Sequence, residues 1–198
     1  MKGKQKNKPK VLVALTGQRY IFSRTAFSLI NAAVKADYEF VYHQEMGCEI
    51  ASMRNRIAKK ALEINATHLL FVDYDMYFAP EAIDALLKHD KDIVGATYNF
   101  RAEQLKSTAV PLEAEGQVHP DELPKELFKC AAIGTGLLLI KTEVFRKMPA
   151  PWFMFGYTEG GDLLYGEDTF FAQMAIKADF DVYADPTLNV KHVGEAMY

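Results

Sequence analysis

Two acidic residues follow an apolar run near the middle of the chain. The stretch LLFVDYDMYF, residues 69–78, places Asp73 and Asp75 directly after four apolar residues. In an extended segment, side chains two positions apart point the same way, so both carboxylates can face one site with Tyr74 opposite. Adjacent carboxylates repel, and a hard divalent cation such as Mg²⁺ or Mn²⁺ removes that penalty. The pattern is short and common, so it also fits a capping Asp73 and a solvated Asp75.

Three other places in the chain carry polar residues that need an explanation. Glu167 and Asp168 open a predicted helix, where acidic side chains are favoured by the helix dipole. His192 lies near the end of the chain, and a lone histidine is more often structural, although neutral imidazole is a good Mn²⁺ ligand. Arg54 falls on the edge of an apolar helical stripe, next to Asn55. Its guanidinium can extend to water along the core edge or turn inward toward an anion.

The spacing of apolar residues predicts the elements that position these groups. Continuous apolar runs are typical of strands buried on both faces, and apolar residues at helical spacing are typical of helices. Strands are predicted at 11–16, 39–43, 68–73, 92–98, 130–140, and near 181–184 and 188–192. Helices are predicted at 22–36, 50–64, 80–88, from 142, and at 167–178, with a loop over 102–128. This alternation predicts an α/β fold with a mostly parallel sheet, whose ligands bind at the carboxyl ends of the strands.

Length and composition favour one globular domain. The chain has 198 residues, of which 49% are hydrophobic and 25% are charged. The net charge of -3 gives no general case for nucleic acid or an anionic membrane as partner. Lysines alternate with other residues at the start, so we expect a flexible basic arm at 1–10 and a single domain at 11–198. The arm fits a solubilising tail or a weak hook for nucleic acid or acidic lipid.

The cysteines and the absence of targeting signals predict a cytoplasmic protein. Cys48 and Cys130 are far apart and lack metal-type spacing, which favours reduced thiols. No apolar run approaches the roughly 18 residues of a membrane helix, and the start of the chain has no signal-peptide pattern. The sequence does not set the oligomeric state, and a homo-oligomer stays open.

Five stretches together resemble short family 2-like glycosyltransferases of the GT-A fold, of a kind seen in bacteria and phages. They follow the family's order and cover most of residues 50–194. The stretches are SMRNRIAKKAL, ATHLLFVDYDMYFAPEAIDALL, DIVGATY, IGTGLLLIKTEVF and GEDTFFAQMAIKADFDVYADPTLNVKHVG. The resemblance implies a Rossmann-like nucleotide-diphospho-sugar transferase domain, with a central, mostly parallel sheet flanked by helices. It also implies metal-dependent transfer of a sugar from a nucleotide sugar to an acceptor.

The resemblance assigns roles to the acidic residues and the late histidine. In the family the D-x-D acids hold a divalent metal that grips the diphosphate, so Asp75 is expected as a direct ligand of Mn²⁺ or Mg²⁺. Asp73 is expected to contact the ribose or support the metal, and His192 to be the third ligand. Asp168, with Glu167 beside it, is expected to face the acceptor and act as the general base of an inverting enzyme. Retaining GT-A enzymes also pair such a motif with a late histidine, so the stereochemical outcome stays open.

The resemblance also implies residues that contact the two substrates. The expected donor contacts are Thr16, Gly17, Arg19, Arg54, Asn55, Tyr74 and Gly136. Trp152, in the loop PAPWF, is expected to stack on the acceptor, although a loop aromatic is as often a core residue. Many family members place an Asp after the second strand to read uracil, and YHQEMG lacks it. Gln44 or Glu45 of that stretch can take the place of the Asp, so a UDP-sugar stays the first expectation for the donor, with a GDP-sugar as the second.

Other classes of protein fit the sequence less well. Haloacid-dehalogenase-type phosphatases need Thr or Val where Tyr77 stands, and a later GDxxxD that this chain lacks. Sugar-phosphate nucleotidyltransferases need a basic, Gly-rich loop after the first strand, which TGQRY matches poorly. A non-catalytic relative that binds a nucleotide or glycan stays open. The acceptor is unspecified: a glycan, a protein or a modified base of phage DNA.

Overall fold

Apolar strands form the centre of an eight-stranded sheet. The computed structural model describes residues 8–17, 19–100 and 105–194, so most of the predicted basic arm lies outside the described residues. The strands are β1 (Lys10–Gly17), β2 (Glu39–Met46), β3 (His68–Asp73), β4 (Met76–Phe78), β5 (Ile93–Ala96), β6 (Val110–Pro111), β7 (Phe128–Ala132), β8 (Leu137–Lys141), β9 (Gly156–Tyr157), β10 (Leu163–Tyr165), β11 (Val182–Asp185) and β12 (Val190–His192). The helices are α1 (Ser23–Lys35), α2 (Ile50–Glu63), α3 (Ala82–Lys88), α4 (Thr142–Lys147) and α5 (Glu167–Lys177).

The order of strands in the main sheet is β2-β1-β3-β8-β5-β11-β7-β6. Strands β8 and β7 are antiparallel to their neighbours in this sheet, and the other six strands run in one direction. The predicted α/β fold with a mostly parallel sheet is therefore confirmed. The carboxyl ends of β1, β3, β5 and β11 consequently lie at one edge of the sheet, where a site is expected.

Helices cover both faces of this sheet. Alternate residues of the central strands enter different cores: Leu12 and Phe71 point to one side, and Val13 and Val72 to the other. All four side chains are buried. Residues of α2, α4 and α5 complete the first core, and residues of α1 and α3 complete the second. Burial of both strand faces explains why β1 and β3 are continuous apolar runs rather than alternating ones.

The structure differs from the sequence prediction at residues 130–140, which do not form one strand. Strand β7 ends at Ala132 and the antiparallel strand β8 begins at Leu137, with a turn through Gly134 and Gly136 between them. A Cβ at Gly134 or Gly136 would lie only 2.4 or 2.6 Å from the hydroxyl oxygen of Tyr98. The two glycines therefore mark a turn that is packed against a tyrosine ring.

The spacing of apolar residues also failed to predict several elements of two or three residues. Strand β4 follows a two-residue turn after β3, strands β9 and β10 form a hairpin, and a 3₁₀ turn spans Pro120–Glu122. Each is too short to carry a hydrophobic period of its own. Among the described residues, no helix combines the length and the hydrophobicity needed to cross a bilayer.

A buried carboxylate stabilises the end of β11. Asp185 is 3% exposed, and its side chain accepts hydrogen bonds from the Thr187 amide at 2.8 Å, the Thr187 hydroxyl at 2.6 Å and His89 Nε2 at 2.7 Å. Burial alone would raise the pKa of Asp185, but these hydrogen bonds lower it below its usual 3.8. Because the folded pKa is depressed, the stabilisation is complete above that value and is lost as the pH falls through the folded pKa.

We therefore expect Asp185→Asn to lower the free energy of unfolding at pH 7 by about 1–3 kcal/mol. The difference from the wild type should shrink below about pH 3.8, where the native carboxylate begins to lose its advantage. Urea unfolding at a series of pH values measures both effects. Asp179→Asn is the control, since Asp179 is exposed and has a positive φ of 62° that asparagine tolerates. A difference that stays constant with pH would contradict the prediction.

Candidate functional site

The carboxyl ends of β1 and β3 bring Thr16 beside Asp73. The two residues are partners in the parallel register, and the Thr16 hydroxyl donates a hydrogen bond of 2.9 Å to Asp73 Oδ1. Thr16 is 1% exposed, so its hydroxyl belongs to the base of the site rather than its surface. Thr16, which was expected to contact the donor, therefore hydrogen-bonds to the first acid of the D-x-D motif.

Backbone pairing brings the D-x-D motif and the late histidine to the same place. Residues Tyr74 and Asp75 form a turn between β3 and β4, and β4 pairs with β12 so that Met76 lies opposite His192. The amide of Val193 donates a hydrogen bond of 2.6 Å to the carbonyl oxygen of Asp75. The three residues expected to hold a metal therefore lie on neighbouring segments: Asp73 ends β3, Asp75 is in the turn that follows, and His192 ends the strand that pairs with β4.

The ring of His192 is held by its neighbours. His192 Nδ1 lies 2.7 Å from the carbonyl oxygen of Asn99, and the ring packs edge-on against Tyr98 with centroids 4.8 Å apart. Because a carbonyl oxygen only accepts, Nδ1 carries the proton and the lone pair is on Nε2. This is the arrangement in which a histidine serves as a metal ligand.

Arg54 connects three elements at the site. It is 4% exposed, and its guanidinium donates hydrogen bonds to Asp73 Oδ1, at 3.2 Å, and to Glu167 Oε1. Burial alone would lower the pKa of Arg54, but the carboxylates of Asp73, Glu167 and Asp168 more than reverse this effect and raise it. Helix α2 is thereby tied to β3 and to the start of α5. In this conformation Arg54 is an internal counter-ion.

The two acidic residues that open α5 lie in different environments. Glu167 is 8% exposed, and burial raises its pKa despite the opposing charge of Arg54. Asp168 is only half-buried, and its Oδ1 accepts a hydrogen bond of 2.6 Å from the amide of Thr169. Burial raises the pKa of Tyr98, and the charges of Asp73 and Asp168 raise it further. Asp168 is therefore the more accessible of the two acids.

The IGTG turn completes the floor of the site. The amide of Gly136 donates a hydrogen bond of 2.6 Å to the Tyr98 hydroxyl, and its carbonyl accepts one of 3.2 Å from the amide of Asp73. Gly136 thus supports Asp73 through its backbone, and the space beside its Cα is filled by Tyr98.

Three further residues expected to contact the donor, Gly17, Arg19 and Tyr74, lie at or just after the ends of β1 and β3. Gly17 has a φ of 124°, and a Cβ there would lie 2.9 Å from the Tyr74 ring. Tyr74 itself stacks on Phe22 with centroids 6.1 Å apart. Arg19 is exposed at the end of β1, close in sequence to Thr16. Gly17 and Tyr74 therefore pack against each other beside the D-x-D motif, and the exposure of Arg19 leaves its side chain accessible to a ligand.

Asn55 and Trp152 are joined by a hydrogen bond between the side chain of one and the backbone of the other. The Asn55 amide donates to the carbonyls of Ala51 and Phe153 at 2.8 and 2.7 Å, and its oxygen accepts from the amide of Trp152 at 2.8 Å. The indole of Trp152 donates to the Met148 carbonyl at 3.1 Å, and the residue is 6% exposed. The structure therefore gives both residues a core role, in which little of the indole can meet an acceptor.

A groove of about 740 Å³ borders the site on the β5 and β12 side. Its walls are formed by residues 97–100, the segment around the 3₁₀ turn, and residues 190–192. Its lining includes Leu123, Lys125, Lys191 and His192. The groove shares Tyr98, Asn99 and His192 with the site, so a molecule bound in it would lie beside the expected metal ligands.

The side chains fit a hard divalent cation in their chemistry. Asp73 and Asp75 supply carboxylate oxygens, and His192 supplies an imidazole whose Nδ1–H is already satisfied by Asn99. Within the described part of the chain, no three His, Cys, Asp or Glu side chains already converge as a metal cage. A cation would therefore complete the site with the help of a second oxygen-rich group, as Mg²⁺ and Mn²⁺ do with phosphates.

Two residues of the site, Tyr98 and Asn99, were not anticipated from the sequence. Tyr98 stands in the DIVGATY stretch, and Asn99 follows it. The signal that could have found them is the pair of glycines in IGTG, because closely spaced glycines in an apolar run indicate close approach by another group. The identity of that group depends on tertiary contacts.

Comparison with known proteins supports the fold. No protein-family model matches the chain, and no curated protein matches it significantly in sequence. Among solved structures, the chain is similar to A197 from STIV, with a TM-score of 0.62 and 20% identity over 94% of this chain and 86% of that chain. It is also similar to the glycosyltransferase GalNAc-T7, whose crystal structure contains UDP, GalNAc and Mn²⁺, with a TM-score of 0.56 and 12% identity.

The chain has a GT-A-like fold. The alignment with GalNAc-T7 covers 96% of this chain but only 45% of that one, so this chain spans less than half of its length. At 20% and 12% identity, the likeness establishes the arrangement of strands and helices. The chemistry has to be argued from the residues of the site.

The burial of Arg54 generates a stability prediction. Replacing it with a similar-sized apolar side chain, Arg54→Met, would leave the buried carboxylate of Glu167 and the half-buried carboxylate of Asp73 without their counter-ion, so we expect a loss of about 3–5 kcal/mol in the free energy of unfolding. The double variant Arg54→Met/Glu167→Gln should recover part of this loss. Urea unfolding measures both changes.

Arg56→Met is the matched control on the same helix. Arg56 is half-exposed and pairs with Glu45 at 2.8 Å, so its replacement should cost less than about 1 kcal/mol. Equal losses for the two single variants would refute the role of Arg54 as an internal counter-ion.

Proposed function

We propose that this protein is a metal-dependent glycosyltransferase that moves a sugar from a nucleoside-diphosphate sugar to an acceptor hydroxyl or related nucleophile. One observation carries the proposal: pairing of β4 with β12 sets the D-x-D turn against His192, at the carboxyl edge of a GT-A-like sheet. The likeness to GalNAc-T7, with its bound UDP, GalNAc and Mn²⁺, supports a UDP-sugar as the first donor to test and Mn²⁺ as the first metal.

In this proposal the chain's own residues divide the work. Asp75 and His192 would hold the divalent cation, with Asp73 beside them. When bound, such a cation stabilises the negative charge that develops on the diphosphate as the glycosidic bond breaks. Asp73, already fixed by Thr16 and Arg54, orients the donor through its remaining oxygen.

Asp168 is the proposed general base. In an inverting reaction the acceptor oxygen forms a bond to the anomeric carbon, and the bond from that carbon to the diphosphate breaks. The electron pair leaves with the nucleotide, and the acceptor proton passes to Asp168. Its partial exposure and its position at the start of α5 support this role, whereas Glu167 is buried against Arg54 and acts as a structural partner.

The groove beside His192 is the proposed path for the acceptor. It borders the expected metal ligands and combines an apolar wall with exposed lysines, Lys125 and Lys191, at its rim. This assignment replaces Trp152 as the first acceptor contact to test, since the indole is buried.

The decisive experiment measures nucleotide release from a panel of UDP- and GDP-sugars, with Mn²⁺ or with EDTA. We expect one donor to be cleaved by the wild type, and we expect EDTA or Asp75→Asn to reduce release at least about 100-fold, because a bound cation supplies several kcal/mol of charge stabilisation. Asp179→Asn is a matched acidic control at the far end of α5 and should leave release unchanged.

Three results separate the outcomes. Release that depends on neither metal nor Asp75 would overturn the metal-dependent mechanism. A nucleotide that raises the melting temperature with Mn²⁺ but is never cleaved, with or without candidate acceptors, would indicate a binding-only relative. Neither release nor stabilisation would reject the assignment of the D-x-D turn as a nucleotide-sugar site.

A second prediction concerns the groove. Leu123→Arg places a long charged side chain in its wall, so we expect transfer to an acceptor to fall at least about tenfold, the effect of roughly 1.4 kcal/mol, while hydrolysis of the donor by water stays within about twofold. Release is measured with and without glycan, peptide or DNA oligonucleotide acceptors. Leu112→Arg is the control, because Leu112 is 53% exposed and does not line the groove. Equal effects of the two variants on transfer would contradict the assignment.

A further inference from the structure

We propose that Tyr98 and Asn99 are positioning residues for the metal site, which hold His192 and the D-x-D motif in one arrangement. The inference rests on the proposed metal-dependent function, and it assigns a role toward the metal to two residues that the proposal leaves without one. Both lie just after β5, which ends at Ala96, and both line the groove.

The first contact orients the imidazole of His192. The Asn99 carbonyl accepts from Nδ1, and the Tyr98 ring packs edge-on against the imidazole. The hydrogen bond selects the tautomer and the ring contact restricts rotation, so Nε2 keeps one direction. Groups that orient a metal-bound histidine in this way change metal affinity by about 10–100-fold when removed.

The second contact runs from Tyr98 to the D-x-D motif. The Tyr98 hydroxyl accepts a hydrogen bond from the Gly136 amide, and the Gly136 carbonyl accepts one from the Asp73 amide. A continuous set of contacts therefore leads from His192, through the tyrosine ring and one peptide group, to Asp73. The two sides of the metal site are coupled through Tyr98.

The surroundings leave Tyr98 little freedom. Its carbonyl accepts hydrogen bonds from both the amide and the hydroxyl of Thr108, at 2.9 and 3.0 Å, and the residue is 6% exposed. Gly134 and Gly136 lack the side chains that would collide with its hydroxyl. A buried phenol needs a partner for its oxygen, and the Gly136 amide supplies it, which explains a tyrosine rather than a phenylalanine here.

Tyr98→Phe separates a positioning role from a packing role. The variant keeps the ring against His192 but removes the acceptor for the Gly136 amide, so we expect the affinity for Mn²⁺ to fall about tenfold. Affinity is measured by titrating Mn²⁺ in the presence of UDP, with a protein-free UDP titration as the reference, and following free Mn²⁺ by electron paramagnetic resonance. Tyr38→Phe, in a tyrosine that is 7% exposed and outside the site, is the control and should bind Mn²⁺ as the wild type does. The metal-free Tyr98→Phe protein should melt at a lower temperature than the wild type, because its Gly136 amide is left unpaired, so affinity is compared at a temperature at which both proteins are folded.

The outcomes distinguish this inference from the function on which it rests. If the wild type with UDP binds no more Mn²⁺ than UDP does without protein, the metal site itself is rejected and this inference with it. If Asp75→Asn abolishes binding while Tyr98→Phe matches the wild type within about twofold, the positioning role is overturned and the metal site stands.

A measurement on the wild type covers the case in which Tyr98→Phe does not fold. Long-range ¹H–¹⁵N correlation of the histidine rings reports which nitrogen carries the proton. We expect the Nδ1–H form for His192 in the metal-free protein, as the Asn99 contact requires. The Nε2–H form would overturn the role of Asn99.

Discussion

The site depends on a buried arginine that compensates carboxylates at the end of a strand. Asp73, Glu167 and Asp168 all act on Arg54, and the first two receive its hydrogen bonds. Carboxylates gathered in this way repel one another, and the fold admits them because α2 brings one fixed positive charge among them. The compensation is incomplete, since one guanidinium faces three acids. The three acids together therefore carry more negative charge than Arg54 balances.

The second requirement is a way to bring distant segments to this edge, and backbone pairing supplies it. Strand β12 adds antiparallel to β4, directly after the D-x-D turn, so the backbone of His192 lies next to that turn. The segment after β5 then closes against His192 from the other side. Rigid main-chain contacts, rather than flexible side chains, thus determine the geometry available to a ligand.

The spacing of apolar residues predicted the strands and helices whose formation depends on few contacts with distant parts of the chain. The continuous apolar runs of β1 and β3 and the amphipathic stripe of α2 follow from burial on two faces or one, so their positions agree closely with the structure. The turn at Gly134 and the interior position of Trp152 follow from packing partners far away in the chain, Tyr98 for one and Asn55 for the other. The local spacing of apolar residues carries no information about contacts between distant residues. The role of Tyr98 could not be predicted for the same reason.

The contacts of Asp73 argue for unequal roles within the D-x-D motif. Oδ1 of Asp73 accepts from both Thr16 and Arg54, so ligation of a metal through that oxygen would have to displace a buried arginine. Such a displacement leaves a charge unpaired in the interior and costs several kcal/mol. In the proposed mechanism Asp75 is therefore assigned to the cation, because its backbone is tied to β12 next to His192. Asp73 is assigned to Arg54 and the donor.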